Sequence, residues 1–93
     1  MQGQVELPVI LDLGTVHHLR ERLATAIAEQ NTVSIDASQV ERIGTPAVQV
    51  LLAASRALAA EDRPLVIQKA SEPFRSAFAD LGLSEQYSKW SAS

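Results

Sequence analysis

The hydrophobic pattern of the first third of the chain changes from a strand-like to a helix-like period. Residues 4–13 read QVELPVILDL, where apolar and other side chains alternate and Pro8 interrupts the run. This pattern predicts a strand, a break at the proline and a short second strand. From residue 16 to 27, apolar residues recur at steps of three and four, which predicts an amphipathic helix of about four turns. Thr15 is the expected N-cap of that helix.

The middle of the chain predicts a central strand followed by an unusually apolar helix. Apolar residues alternate over residues 33–36, so the strand is expected to end at about Asp36. Residues 48–60 are apolar nearly all round, as is typical of a helix that is buried on more than one side. Pro46 has no N–H and fits only the first turn of a helix. Thr45 is therefore the predicted N-cap.

The last third predicts one further strand, at residues 65–67, and one further helix. This helix has Ser71 near its N-cap and stops at Gly82. Three apolar residues are expected on one face of it: Phe74, Phe78 and Leu81. Residues 84–93 are polar apart from Tyr87 and Trp90. Two outcomes stay open for this tail, fraying or a turn of helix that packs both aromatic rings.

The order of these elements predicts the α/β class, with a small mixed β-sheet of about four strands and helices packed mainly on one face. A chain of 93 residues matches one domain of the usual size of roughly 100–150 residues. We therefore expect a single domain over residues 1–93, with a core of about residues 4–83 and a C-terminal tail at residues 84–93.

Composition excludes several classes of function. Hydrophobic residues make up 46% of the chain and charged residues 20%, and the net charge is −3. Lysines and arginines are scattered, so no basic stripe for nucleic acid is predicted. The absence of cysteine excludes thiolate chemistry and cysteine-based zinc sites. Neither a signal sequence nor a stretch of about 20 apolar residues occurs, so we expect a cytoplasmic protein without direct membrane insertion.

Candidate catalytic groups are few. His17 and His18 are adjacent and point about 100° apart on a helix, so they are not expected to share a metal ion. Asp12 and Asp36 each end a proposed strand, which is compatible with one shared sheet edge. No nucleophile accompanies them, and we expect them to accept local hydrogen bonds. The four glycines form no phosphate loop. The sequence predicts neither an enzyme nor a cofactor.

The hydroxyl of Thr45 is the remaining chemical candidate. A phosphate at a helix N-terminus meets the positive end of the helix dipole and adds about two negative charges to the surface. Phosphorylation would be tolerated there and would change any contact made by that surface. The residues alone leave two interpretations open, a plain helix start and a modification site.

Three segments resemble the STAS domain, which bacterial anti-sigma factor antagonists share with the cytoplasmic tails of sulfate transporters. They read LPVILDLGTVHHLRERL, VSIDASQVERIGTPAVQVLLAASRALAA and RPLVIQKASEPFRSAFADLGL, within about residues 4–83. The resemblance implies an α/β fold of that family and a phosphorylated Ser or Thr at Thr45. It also implies a partner contact around that helix start, near six further residues: Asp12, Asp36, Ser38, Gly44, Pro46 and Gln49.

The chain departs from the family pattern at Gly44, since many members carry Asp directly before the modified hydroxyl. Two interpretations follow, a weakened recognition by the kinase or a member that binds without being phosphorylated. The resemblance implies a protein partner that is an anti-sigma factor kinase or a phosphatase. The oligomeric state is left open.

The alternative partner is the ATPase of a phospholipid-transport ABC system, which a small cytoplasmic STAS subunit would clamp. An exposed alanine-rich face near Thr45 would favour this alternative, and Ala47, Ala53 and Ala54 are its candidates. A STAS protein of a chemotaxis operon is the third possibility.

Overall fold

The computed structural model describes residues 4–91, which form five short strands and four helices. The strands are β1 (Val5–Glu6), β2 (Ile10–Leu11), β3 (Val33–Ala37), β4 (Arg42–Ile43) and β5 (Leu65–Ala70). The helices are α1 (Val16–Glu29), α2 (Thr45–Ala59), α3 (Glu72–Asp80) and α4 (Ser84–Trp90). The predicted alternation of strands and helices is confirmed, and β4 is an element that the sequence did not predict.

Two small sheets replace the predicted single sheet. One has the strand order β1-β3-β5 and the other pairs β2 with β4. The α/β class is confirmed, but every pairing within residues 4–91 is parallel, where a mixed sheet was expected. Helical connections explain this difference, because a crossover returns the chain to the same end of the sheet. A register shift after Ile35 brings Asp36 opposite Lys69.

Burial alternates along β3 and shows that one face of the three-stranded sheet is covered. Val33, Ile35 and Ala37 are fully buried, whereas Ser34 and Asp36 are half-buried. Period-two burial of this kind is expected for a sheet that packs helices on one side. The buried side chains of both sheets and all four helices form one hydrophobic cluster.

Both ends of α3 follow the prediction. The Ser71 hydroxyl caps the helix by accepting the Phe74 N–H at 3.2 Å. After α3, Gly82 has a φ of 74°, and the Leu83 N–H donates to the Phe78 carbonyl at 2.8 Å. This is the Schellman arrangement that glycine favours at a helix end. Leu81 was expected on the same helix face as Phe74 and Phe78, but it is 45% exposed because it lies beyond the last turn of α3.

The C-terminal tail forms α4 and packs both of its aromatic rings, so the second of the two predicted outcomes is confirmed. Trp90 is 3% exposed and meets Phe78 edge to face, with 5.5 Å between ring centroids. Its indole N–H donates to the Ser55 hydroxyl on α2 at 2.9 Å. Tyr87 is half-buried beside Phe74 and Phe78. Trp90 therefore belongs to the hydrophobic cluster.

Arg63 fixes the C-terminus of α1 beside the connection from α2 to β5. Its guanidinium donates to the carbonyls of Ile27, at 2.6 Å, and of Gln30. It also donates to the Asn31 carbonyl at 3.2 Å and forms an ion pair with Glu61. Because the last carbonyls of a helix lack partners within the helix, this single side chain ties α1 to the α2–β5 connection.

Candidate functional site

The start of α2 is positioned by the small β2–β4 sheet. Leu11 of β2 pairs with Ile43 of β4. The N–H of Gly44, the residue after β4, donates to the Leu11 carbonyl at 2.8 Å. Gly44 is thereby held in extended conformation, with φ −94° and ψ 166°. Its own carbonyl accepts the N–H groups of Ala47 and Val48. Gly44 is therefore the N-cap of α2.

The prediction that Thr45 caps α2 is wrong by one residue. Because the β-ladder extends through Gly44, the helix begins at Thr45 itself and Pro46 follows in the first turn. Thr45 is exposed, and its hydroxyl takes part in none of the hydrogen bonds found among residues 4–91. The first turn of α2 also contains no acidic side chain. This helix start thus presents a free hydroxyl at the positive end of a helix dipole.

A tight turn after β2 lies beside this helix start. The Asp12 carboxylate accepts the Gly14 N–H at 2.9 Å, which closes the turn. Thr15 is the N-cap of α1, as predicted, but its hydroxyl makes no capping bond to the helix. It accepts the Asp12 N–H at 3.0 Å and donates to the Ile10 carbonyl at 3.1 Å. The β2–β4 pairing therefore places the Asp12 turn next to the Gly44–Thr45 segment.

Asp36, near the end of β3, and Ser38, just after β3, form a second turn. The Asp36 carboxylate accepts the Ser38 N–H at 2.9 Å. Hydrogen bonding from the side chain of Ser38, and then from its backbone, lowers the pKa of Asp36; a smaller contribution comes from Lys69. No hydrogen bond among residues 4–91 joins either residue to the Asp12 turn or to the start of α2. Asp12 thus follows β2 and Asp36 lies near the end of β3, and these strands belong to different sheets.

A groove of about 400 Å³ runs between α1 and α2, and we call it the α1–α2 groove. Its lining consists of Arg20, Leu23, Ala24, Ile27, Pro46, Gln49, Val50, Ala53, Ala54 and Ala57. Pro46 and Gln49 connect it to the helix start that carries Thr45. The prediction of an open alanine face at residues 47, 53 and 54 is corrected, because Ala47 and Ala54 are buried in the core. Ala53 is exposed, as are Ala24 and Ala57.

Sequence reasoning missed the exposed apolar residues that flank the Asp12 turn. Leu13 is 77% exposed, and Val9 and Ile10 are each about 40% exposed. The signal was present in the sequence, since Leu13 stands between Asp12 and Gly14 in a turn, where no helix or strand pattern accounts for a leucine. Exposed apolar groups that lie together are typical of protein-interaction surfaces.

The two histidines lie apart from these features. His17 faces Glu21 across one turn of α1 at 3.5 Å, and both side chains are exposed. Within the described part of the chain, no three metal-ligating side chains come together. None of the helices found in residues 4–91 is both long and apolar enough to span a membrane.

Comparison with known proteins gives a match for most of the chain. A family model described as "Mlab, STAS domain" matches residues 2–87. The structure of the anti-sigma factor antagonist SpoIIAA in its unphosphorylated form is similar, with a TM-score of 0.75 and 22% identity. The similarity covers 98% of this chain and 81% of that one. A comparison with curated proteins gave no match. The expected STAS resemblance and its fold are confirmed.

Proposed function

Because the chain belongs to the STAS domain family, we propose that it is a regulatory protein-binding module of the anti-sigma factor antagonist kind. A protein partner contacts the N-terminus of α2, and phosphorylation of Thr45 switches that contact. The observation that carries this proposal is the exposed Thr45 hydroxyl at the first residue of α2, which takes part in none of the hydrogen bonds of the described chain.

Phosphorylation at this position fits the local electrostatics. A phosphate carries about two negative charges and would lie at the positive end of the α2 dipole. The first turn of α2 has no carboxylate to repel it. Because the hydroxyl takes part in no hydrogen bond within residues 4–91, modification changes the surface charge and leaves the fold intact. A partner that reads this surface therefore distinguishes the two forms.

The implied partners are a kinase-type anti-sigma factor and a phosphatase that restores the free hydroxyl, both acting in the cytoplasm. The proposed module works by binding and does not itself turn over a substrate. Three features close to Thr45 would contribute to recognition: the Asp12 turn, the exposed Leu13 and the edge of the α1–α2 groove at Gln49.

Mass spectrometry after incubation with ATP and each kinase-type anti-sigma factor of the same cells tests the proposal. We expect one phosphate on the wild-type protein, located on Thr45, and none on Thr45→Ala. Thr25→Ala is the matched control, since Thr25 is exposed in the middle of α1 and should leave labelling unchanged. Absence of label from the wild type, or full labelling of Thr45→Ala, would contradict the switch.

The variant Gly44→Asp distinguishes the two interpretations of Gly44, the position at which the chain departs from the family pattern. A Cβ at Gly44 would lie 3.6 Å from the Leu11 carbonyl oxygen and from the Pro46 Cδ, which is ordinary contact, so the chain accommodates the change. A higher labelling rate in this variant indicates that Gly44 weakens kinase recognition. Unchanged absence of label, with partner binding retained, indicates a member that binds without being phosphorylated.

A small STAS subunit of a phospholipid-transport ABC system is the second candidate. Two observations favour it: the description of the matching family model, and the exposed alanines Ala24, Ala53 and Ala57 along the α1–α2 groove. Co-purification distinguishes the candidates. An ATPase subunit recovered at equal stoichiometry, without phosphate on Thr45, supports the transport role, whereas a kinase-type partner supports the regulatory role.

A further inference from the structure

We infer that the α1–α2 groove holds an amphipathic helix of the partner protein, oriented by a carboxylate on that helix that pairs with Arg20. This inference rests on the proposed function, because it names the part of the partner that would reach beyond the Thr45 surface. Pro46 and Gln49 line the groove and also belong to the start of α2, so one bound protein can cover both surfaces.

The shape and lining of the groove fit a helix. Ile27 and Val50 are half-buried and supply apolar surface between two packed helices. The exposed residues along its walls include three alanines, Ala24, Ala53 and Ala57, whose small side chains let another helix axis approach closely. Amphipathic helices bind in such grooves through apolar residues spaced at i, i+3 or i+4, and i+7.

The charges of the groove select the occupant. Arg20 is the charged residue of the lining, and no carboxylate accompanies it there. Within the described chain, Arg20 has neither an ion pair nor a side-chain hydrogen bond. The neighbouring carboxylate on the same helix, Glu21, faces His17 instead. A carboxylate at the edge of an apolar helix face would give this guanidinium its partner.

The same charges disfavour a second copy of this chain as the occupant. A twofold interface brings identical surfaces together, so each groove would meet another groove lined by the same residues. Arg20 would then face a lining that contains no carboxylate. A partner with its own acidic residue is therefore the better complement.

Site-specific photocrosslinking in the producing cells tests the inference. The change Ala57→p-benzoyl-phenylalanine places the probe in the groove, about 18 Å along the helix axis from Thr45. We expect crosslinks to one contiguous partner segment, with apolar residues at helical spacing and an adjacent Asp or Glu. The same probe at Ala59 is the control, because Ala59 is exposed on α2 outside the groove.

Charge reversal then tests the role of Arg20. We expect Arg20→Glu to reduce the crosslink about tenfold or more, and replacement of the partner carboxylate by lysine to restore it. Arg75→Glu makes the same change of charge on an exposed residue of α3 and should leave the crosslink unchanged. Ala53→Trp, which fills the groove, should also abolish the crosslink, whereas Ala59→Trp should not.

The possible failures are distinguishable. The inference is overturned by crosslinks to a second copy of this chain, by crosslinks to a segment without a helical apolar pattern, or by no crosslink at Ala57. If capture of the partner still depends on Thr45 in those cases, the proposed function is retained and only the groove inference is rejected. If the groove crosslink persists but neither Thr45→Ala nor Thr45→Glu changes binding, the phosphorylation switch fails and the groove inference stands.

Discussion

The starts of α2 and α3 have similar sequences, but a side chain caps only the start of α3. Each has a small cap residue and a proline two positions later, in Gly44-Thr45-Pro46 and in Ser71-Glu72-Pro73. At α3, the cap hydroxyl accepts the Phe74 N–H and donates to the Val40 carbonyl at 2.5 Å, and an acidic residue occupies the first turn. At α2, no side chain caps the helix and the first turn contains no acidic residue.

This difference separates a structural helix start from one that is available to a partner. The Ser71 hydroxyl is half-buried and fully used by the fold. The Thr45 hydroxyl lies one residue further into its helix, where its side chain is exposed and not needed for capping. Because the fold does not use this hydroxyl, a change of its chemistry can act on binding without acting on folding.

Removal of the cap of α3 should have the largest effect on stability. Ser71→Ala eliminates both hydrogen bonds of the hydroxyl and leaves the Val40 carbonyl without this donor, so we expect a loss of about 1–2 kcal/mol in the free energy of unfolding. Denaturant titration followed by fluorescence of Trp90, the single tryptophan, measures it. Ser76→Ala, an exposed serine inside α3, should cost nothing. A loss no larger than that of the control would contradict the structural role of Ser71.

Introducing a cap at α2 should stabilise the protein. Gly44 has a φ of −94°, which any residue adopts, and its added Cβ would make ordinary contacts. Gly44→Asp supplies an acceptor for the Ala47 N–H and reduces the freedom of the unfolded chain, so we expect a gain of about 0.5–1 kcal/mol.

Gly44→Ala is the control for this gain, because it changes the unfolded chain in the same way but offers no acceptor. Gly44→Asp should exceed it by about 0.5 kcal/mol in the same titration. Equal stability of the two variants would show that the start of α2 does not need a side-chain cap, and the comparison with α3 would then lose its energetic basis.

The sequence predicted the elements with strong periodicity and missed those defined by tertiary contacts. The Ser71 cap and the Gly82 stop were predictable because both follow from local backbone geometry. Strand β4 was not, since a two-residue strand has too few positions for alternation and exists through its pairing with β2. Because of the same pairing, the cap of α2 is Gly44 and not the predicted Thr45, an outcome that local sequence preferences do not predict.

The candidate site, too, could be predicted from the sequence only in part. Thr45 was a candidate from the residues alone, and the family resemblance added Gly44, Pro46 and Asp12 as site residues. The β2–β4 pairing brings their segments together. The α1–α2 groove was not predictable, because it depends on how two helices pack. The apolar surface of α2 indicated burial on more than one side, and the open side became visible only when the exposures of Ala53 and Ala57 were known.

Among the substitutions at the two helix starts, Thr45→Ala should change stability least. The hydroxyl makes no hydrogen bond within residues 4–91, and alanine is the better helix former, so the two unfolding free energies should agree within about 0.5 kcal/mol. Thr25→Ala, at an exposed position inside α1, gives the contribution of helix propensity alone. The same Trp90 titration measures both variants. A loss for Thr45→Ala as large as that for Ser71→Ala would mean that the fold uses this hydroxyl. In that case phosphorylation would disturb the fold as well as the partner contact, and the contrast between the two helix starts would disappear.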